Sequence, residues 1–494
     1  MTTLTSAPDT LTRDALTVLQ PGFAGTTAPD WLLRRIGEGL GSVGLFGRNI
    51  AGDEQLAALT AQLRAEREDI LVAIDEEGGD VTRLDVNTGS FIPGNLALGA
   101  VDDPALTRSV AAELGRRLAA CGVHFNWAPS ADVNSDPDNP VIGVRSFGAD
   151  PALVARHTAA YVEGLQSAGV IACVKHFPGH GDTNVDSHLA LPRIDADAAT
   201  LRARELAPFR AAIAAGSHAL MSAHIVVPAL DAEVPATLSR PILTGLLREE
   251  LGYEGLIVTD GMEMRAIAGT YGIERGTVLA IAAGADAICV GGGLHDEGIV
   301  LSLRDALVAA VRDGSLPEER LADAAERVRA LARWTRGTTA APAAPHPAIG
   351  LEAARRAVRV HGDFAPLDAA PYVALLSDEA NIAVGTETPW GPAEALARRL
   401  PGTTGDAYGP QADGTLVADV LAAAGERRLV LAVRDAHRHP WMAEARDALL
   451  AARPDTAVVE MGVPQEAPAG SPYVVTHGAA RVCGEAAAEV LVGA

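Results

Sequence analysis

Over the first two thirds of the chain, short apolar runs alternate with longer stretches in which apolar positions recur at helical spacing. The runs are Leu16–Leu19, Val43–Phe46, Ile70–Ile74, Val123–Trp127, Val170–Val174, Ala219–Ser222, Leu256–Thr259 and Ala287–Val290. Each is too short for a helix and has the length of a buried strand. The helical stretches between and after them include Glu54–Arg67, Pro104–Cys121, Pro151–Ala168, Thr200–Ala215, Arg240–Leu251 and Asp296–Val311, several opening after Asp or Pro and closing at Gly. Strands alternating with helices predict a parallel sheet. Eight such units within residues 1–335 predict a (β/α)8 TIM-type barrel, because the rival doubly wound sheet seldom reaches eight repeats.

Residues 335–350 read TRGTTAAPAAPHPAIG, which marks 336–350 as a linker or a strap over a surface. Beyond it, Tyr372–Leu376, Leu429–Val433, Ala457–Met461 and Tyr473–Thr476 predict four more strands, separated by helices such as Gly391–Leu400 and Pro440–Ala452. Residues 351–494 are therefore expected to form a smaller α/β sandwich domain. That region has no P-loop and no G-x-G-x-x-G, so no nucleotide and no other cofactor is implied.

Composition narrows the function classes. With 494 residues, 48% of them hydrophobic and 21% charged, the chain can bury a large core in more than one domain. Its 63 acidic against 40 basic residues give a formal charge of −23, which makes nucleic acid and anionic membranes poor partners. No run of 18 apolar residues lacks charge, so no membrane span is read. Met1–Thr17 has neither a basic n-region nor an apolar h-region, and a cytoplasmic protein is expected. Cys121, Cys173, Cys289 and Cys483 are widely spaced and read as reduced core residues. Lys175 is the only lysine among those 40 basic residues. A compact ammonium retained where arginine prevails elsewhere suggests a task a guanidinium does not perform.

Polar side chains gather at the ends of the predicted strands, where a barrel of this kind does its chemistry. The third run ends in Asp75, followed by Glu76, Glu77 and Arg83. The fourth gives Asn126, then Asp132 and, on a long loop, Arg145. The fifth ends in Lys175 and His176 and continues FPGHGDTNVDSH, with His180, Asp182, Asp186 and His188; His224 follows the sixth run and Asp260 the seventh. One Asp after a strand is usually a cap or turn residue, but five converging ends indicate a common site. The histidines and carboxylates fit a metal, and the lysine beside them argues against one. In the other reading, Asp186 orients His188 as a general acid/base and Asp260 acts as nucleophile or electrostatic stabiliser. Asp75, Arg83, Arg145 and Lys175 then hold the hydroxyls of a polyol, each of which gives and takes hydrogen bonds.

These segments resemble a known family. KHFPGHGDTNVDSHLALP (175–192) resembles the signature of bacterial β-N-acetylglucosaminidases of glycoside hydrolase family 3. IDEEGGDVTRL (74–84) resembles their D-x-E-G-G-x-V-x-R-L, while NPVIGVRSFG (139–148), GLIVTDGMEM (255–264) and LFGRN (45–49) match in the expected order. The resemblance covers roughly residues 10–335, and the C-terminal region carries no motif that matches closely. It implies a barrel and retaining hydrolysis through a covalent glycosyl-enzyme. It further implies Asp260 as nucleophile, His188 as general acid/base paired with Asp186, and Asp75, Arg83, Arg145, Lys175 and His176 around the terminal sugar. No metal is implied. Gly261 departs from the family, many of whose members place Asp or Ala after the nucleophile.

The leading expectation is thus an exo-acting β-N-acetylglucosaminidase releasing terminal N-acetylglucosamine from peptidoglycan fragments, as in peptidoglycan recycling, or from chitin oligomers. A neutral imidazole repels an anionic acceptor less than a carboxylate does, so a β-N-acetylglucosaminide phosphorylase is the alternative, and Gly291-Gly292-Gly293 is a candidate phosphate cradle, though a tight turn explains it as well. A β-glucosidase, a metal-dependent hydrolase and an inactive sugar-binding module remain as further readings. Glu77 reads as a turn residue or support, His180 and Asp182 as shapers of the loop, and Met262 and Met264 as packing. His224, Trp127 and Asp132 lie near the site without an assigned role.

Overall fold

The computed structural model describes residues 9–183, 185, 191–337, 345–378, 384, 387–410, 414–464, 470 and 472–494. Contacts divide the chain into two units. One comprises residues 1–76, 107–139 and 149–345, and the other 77–106, 140–148 and 346–494.

In the first unit eight parallel strands follow one another: β1 (Leu19–Pro21), β2 (Ser42–Leu45), β3 (Leu71–Ile74), β4 (Phe125–Asn126), β5 (Ile171–Phe177), β6 (Ala219–Ser222), β7 (Leu256–Thr259) and β8 (Ile288–Val290). β2 to β7 form a six-stranded sheet in chain order, and β1 pairs with β8. A parallel bridge between Val258 and Ala287 carries β7 on to β8, and the Ser42 hydroxyl donates to the Leu19 carbonyl oxygen at 3.3 Å between β2 and β1. The expected α/β fold with a parallel sheet is present. Leu71, Ala73, Ile171, Cys173, Ala219, Met221, Leu256, Val258, Ala287 and Cys289 fill one face of the strands, together with Val328, Leu331 and Ala332 of the helix Glu318–Gly337. The strands that reach this cluster contribute every second residue, as the pleat requires.

The first strand begins later than the apolar run suggests. Leu16 and Thr17 belong to the last turn of the helix Thr10–Thr17, which is capped by the Asp9 carboxylate accepting from the Thr12 amide, and β1 starts at Leu19. The cap starts a helix that consumes the first part of the run. No helix among the described residues is long and apolar enough to cross a membrane.

The second unit contains a six-stranded sheet, ordered β11-β10-β12-β13-β14-β9. Its strands are β9 (Arg359–His361), β10 (Tyr372–Leu376), β11 (Thr404–Tyr408), β12 (Leu429–Val433), β13 (Ala457–Glu460) and β14 (Tyr473–Val475), all parallel except the edge strand β9. Alternate residues divide between two cores. Val373, Val430, Ala432, Val459 and Val474 face one, and Ala374, Leu376, Leu431, Val433 and Val475 the other. The two edge strands have no apolar run because their faces are exposed, so hydrophobic patterning passes over them.

Segments 77–106 and 140–148 pack within this second unit. The Asp80 carboxylate accepts the Ala479 amide at 2.7 Å and the Arg434 guanidinium at 2.9 Å, and Arg434 in turn lies 4.4 Å over the Trp390 ring. Arg356 pairs with Asp103 at 2.9 Å, and Arg481 donates to the Gly89 carbonyl oxygen at 3.2 Å.

Candidate active site

Strand parity decides which polar residues share a face with the apolar cluster of the first unit. Leu71 and Ala73 lead to Asp75, Ile171 and Cys173 to Lys175, and Leu256 and Val258 to Asp260. Each polar residue therefore continues an apolar row by one step, at the C-terminal end of its strand. Lys175 Nζ donates to Asp75 Oδ1 at 2.5 Å, and the lysine side chain is only 3% exposed. An ammonium so enclosed is tolerated because a carboxylate faces it. The end of β3 is locked in turn by Asn126, whose side-chain amide accepts from the Glu76 amide at 3.0 Å and donates to the Glu76 carbonyl oxygen at 2.7 Å.

Asp260 follows β7 directly. Its backbone N–H donates to the Ser222 carbonyl oxygen at 3.2 Å, and the Gly261 N–H donates to its Oδ1 at 2.7 Å. His224, whose role the sequence left open, is buried behind this turn. Its Nε2–H donates to the Gly261 carbonyl oxygen at 3.0 Å, and its Nδ1 lies 2.9 Å from the Thr237 hydroxyl, which itself donates to the Ala223 carbonyl oxygen at 2.9 Å. Met262 is tied to the Cys289 carbonyl oxygen at 3.0 Å.

Glu263 drew no attention in the sequence. Its Oε1 accepts the consecutive N–H groups of Gly291 (2.9 Å), Gly292 and Gly293 (3.2 Å). Arg48 braces the same turn through the Gly291 carbonyl oxygen and, at 3.0 Å, that of Gly292. The glycine turn after β8 is indeed an anion nest, and the anion in it is the chain's own carboxylate.

On the β4–β5 side, Asp132 is fully buried. It accepts the His176 ring Nδ1–H at 2.7 Å, the His176 amide at 3.2 Å, the His180 amide at 2.7 Å and the Ser130 hydroxyl at 2.9 Å. The peptide bonds Lys175–His176 and Phe177–Pro178 are cis. Burial pushes the His180 imidazole down to about 4, so it stays neutral near pH 7 and serves as structure rather than acid. Asp182 pairs with Arg204 and accepts from the Ser135 hydroxyl at 3.2 Å. The expected dyad, Asp186 and His188, lies outside the described residues.

Arg83 and Arg145 belong to the second unit. Arg83 is half-buried. The Arg145 guanidinium is held in a buried, two-pronged pair with Glu77 at 2.6 and 3.0 Å and also donates to the Val141 carbonyl oxygen at 3.1 Å. Removing either partner of such a pair costs about 3–5 kcal/mol, because a buried charge is left uncompensated.

The site therefore combines an enclosed Asp–Lys pair, a carboxylate at a strand end and an imidazole held by a buried carboxylate, groups suited to a polyhydroxylated substrate. Comparison with known proteins agrees. The family model of the glycosyl hydrolase family 3 N-terminal domain matches residues 26–331. The chain is 34% identical over 358 residues to beta-hexosaminidase A of Pseudoalteromonas piscicida, a match that spans 67% of this chain and 60% of that protein's length. It is 37% identical over 265 residues to a beta-hexosaminidase of Neisseria meningitidis serogroup C (strain 053442), covering 52% and 73% respectively. A glycoside hydrolase family 3 beta-N-acetylglucosaminidase structure from Paenibacillus sp. str. FPU-7 superposes with a TM-score of 0.87 at 34% identity, over 98% of this chain and 97% of that one. The chain belongs to glycosyl hydrolase family 3 and is a glycoside hydrolase.

Proposed function

We propose that this enzyme is a retaining exo-β-N-acetylglucosaminidase acting on peptidoglycan fragments or chitin oligomers, built on a closed (β/α)8 barrel with an α/β sandwich. The observation that carries the reading is the placement of Asp260, with Asp75 and Lys175, on the rows that continue the apolar face of the strands. The likeness to hexosaminidases supplies the sugar. Asp260 attacks the anomeric carbon while the glycosidic bond breaks, and His188, oriented by Asp186, protonates the departing oxygen. His188 then takes a proton from water, which attacks the same carbon and releases Asp260; two inversions give retention. Asp75, Arg83, Arg145, Lys175 and His176 hold the terminal sugar.

Water as the acceptor is supported by Glu263, which already occupies the glycine amides that phosphate would need. A cytoplasmic role in peptidoglycan recycling belongs to the same proposal.

The test is a chromogenic β-N-acetylglucosaminide with and without phosphate. Free N-acetylglucosamine at equal rates is expected. N-acetylglucosamine 1-phosphate, formed faster with phosphate, establishes a phosphorylase instead. Asp260→Asn is expected to lose at least about 10³-fold in kcat and His188→Ala about 10²–10⁴-fold. Unchanged rates in either variant refute the assignment.

A further inference from the structure

The loop after β4 and the loop after β5 meet along a seam, and both strands of the seam converge on one carboxylate. Asn139 Nδ2 donates to the His180 carbonyl oxygen at 3.0 Å, and the Asp136 amide donates to the Gly181 carbonyl oxygen at 3.3 Å. Asp132 lies at the head of this seam with no solvent exposure. Its two oxygens have separable tasks. Oδ1 accepts two backbone amides, those of His176 and His180, and Oδ2 accepts the His176 ring Nδ1–H and the Ser130 hydroxyl.

We propose that Asp132 is a positioning residue of the reaction: through Oδ2 it sets the tautomer in which His176 meets the sugar, and through Oδ1 it anchors the loop from His176 to His180. An ionised carboxylate only accepts, so the ring nitrogen facing it carries the proton. The neutral imidazole then presents Nε2 as an acceptor, and His176 takes a hydrogen bond from a sugar hydroxyl. Lys175, one residue earlier, only donates. The two adjacent residues thus offer one donor and one acceptor, a pattern that distinguishes a hydroxyl pair from two carbonyls. The anchor works because backbone amides, not side chains, are held: the loop leaves β5 in a fixed direction from His176 to His180. This rests on the reading of the site given above, in which His176 touches substrate and His188 is the acid/base.

Two measurements test it. In the unmutated enzyme labelled with ¹⁵N-histidine, the resonances lost in His176→Gln are expected to show a protonated Nδ1 and a bare Nε2 at neutral pH. A proton on Nε2, in either the neutral or the doubly protonated ring, overturns the proposal. The second is Asp132→Asn, which keeps a carbonyl oxygen for the two amides and turns an NH2 group toward His176, reversing the tautomer. KM is expected to rise by about tenfold or more while kcat stays within about threefold. Asp132→Ala loses the anchor too, and kcat is expected to fall as well. A folded Asp132→Asn enzyme with unchanged KM overturns the proposal. Should that variant fail to fold, the resonance measurement decides alone. If Asp260→Asn retains full turnover, the reading of the site fails instead, whatever Asp132 does.

Discussion

At the scale of single residues, Glu263 changes the chemistry expected of its neighbourhood. Three consecutive glycine amides normally attract a bound anion, and here Oε1 of Glu263 supplies it internally. The same carboxylate sits three residues beyond Asp260, so it also fastens the turn after β7 to the turn after β8. Glu263→Ala should therefore do two things. Hydrolysis should slow by about 10-fold or more as the turn loosens, the scale seen when residues supporting a reactive group are removed. Phosphate or sulfate should begin to inhibit, or phosphate to accept the sugar, as the emptied amides bind it. Titration of activity against both anions, in the wild type and the variant, checks this; insensitivity of the variant to both would show that the nest has no access to the acceptor. His224 has an analogous supporting part, since its Nε2–H holds the Gly261 carbonyl oxygen.

At the scale of the element, the critical object is the turn that follows β5. Two glycines permit it. Gly179 has φ +128°, and a Cβ at Gly181 would lie 1.7 Å from the Val133 carbonyl oxygen. The second is a matter of contact with backbone that cannot be relieved by a side chain moving aside. Gly181→Ala is expected to push the β4 and β5 loops apart, stretching the His180 amide away from Asp132. Activity should drop by about 10²-fold with a smaller change in KM, since a displacement of about 1 Å in a catalytic group has effects of that size. Steady-state kinetics beside a thermal melt distinguish this from global unfolding, which would lower both activity and melting temperature in parallel.

At the scale of the whole molecule, the second unit is assembled from pieces distant in sequence, and its sheet carries a carboxylate at the end of β13. Glu460 is buried, with Oε1 accepting the Asp435 amide at 3.0 Å and the Gly462 amide at 2.8 Å. Burial, with the charge of Asp435 adding to it, pushes its carboxyl up from 4.5 to about 8. Between those two values the folded chain holds a proton that the unfolded chain has released. Stability from this group is thus fully present below about 4.5 and is lost as the pH rises through about 8. Glu460→Gln retains the acceptor oxygen and removes the ionisation. Its melting temperature should exceed that of the wild type by about a few degrees at pH 8 and converge with it near pH 4.5. Equal melting curves at both values would mean that Glu460 is solvated.

Much of this protein follows from local pattern. Apolar runs of strand length separated by amphipathic helices dictate a parallel α/β sheet, and alternation within Leu71–Asp75, Ile171–Lys175 and Leu256–Asp260 already places three polar residues beyond the apolar face. The ordered segments around Asp75, Lys175 and Asp260 carry the family likeness, because chemistry at strand ends restricts residue type at short range. Tertiary structure alone decided the rest. Glu263 meets Gly291–Gly293, and Asp132 meets His176 and His180, across chain separations that no spacing rule spans. The strands Arg359–His361 and Thr404–Tyr408 are edges with exposed faces, and burial is what writes strand periodicity into sequence. Likewise, residues 77–106 and 140–148 pack with 346–494, through partners such as Asp80 and Arg434 that read as ordinary surface charges until the fold buries them. Periodicity records which way each residue faces, but the identity of what it faces is settled only when distant segments meet.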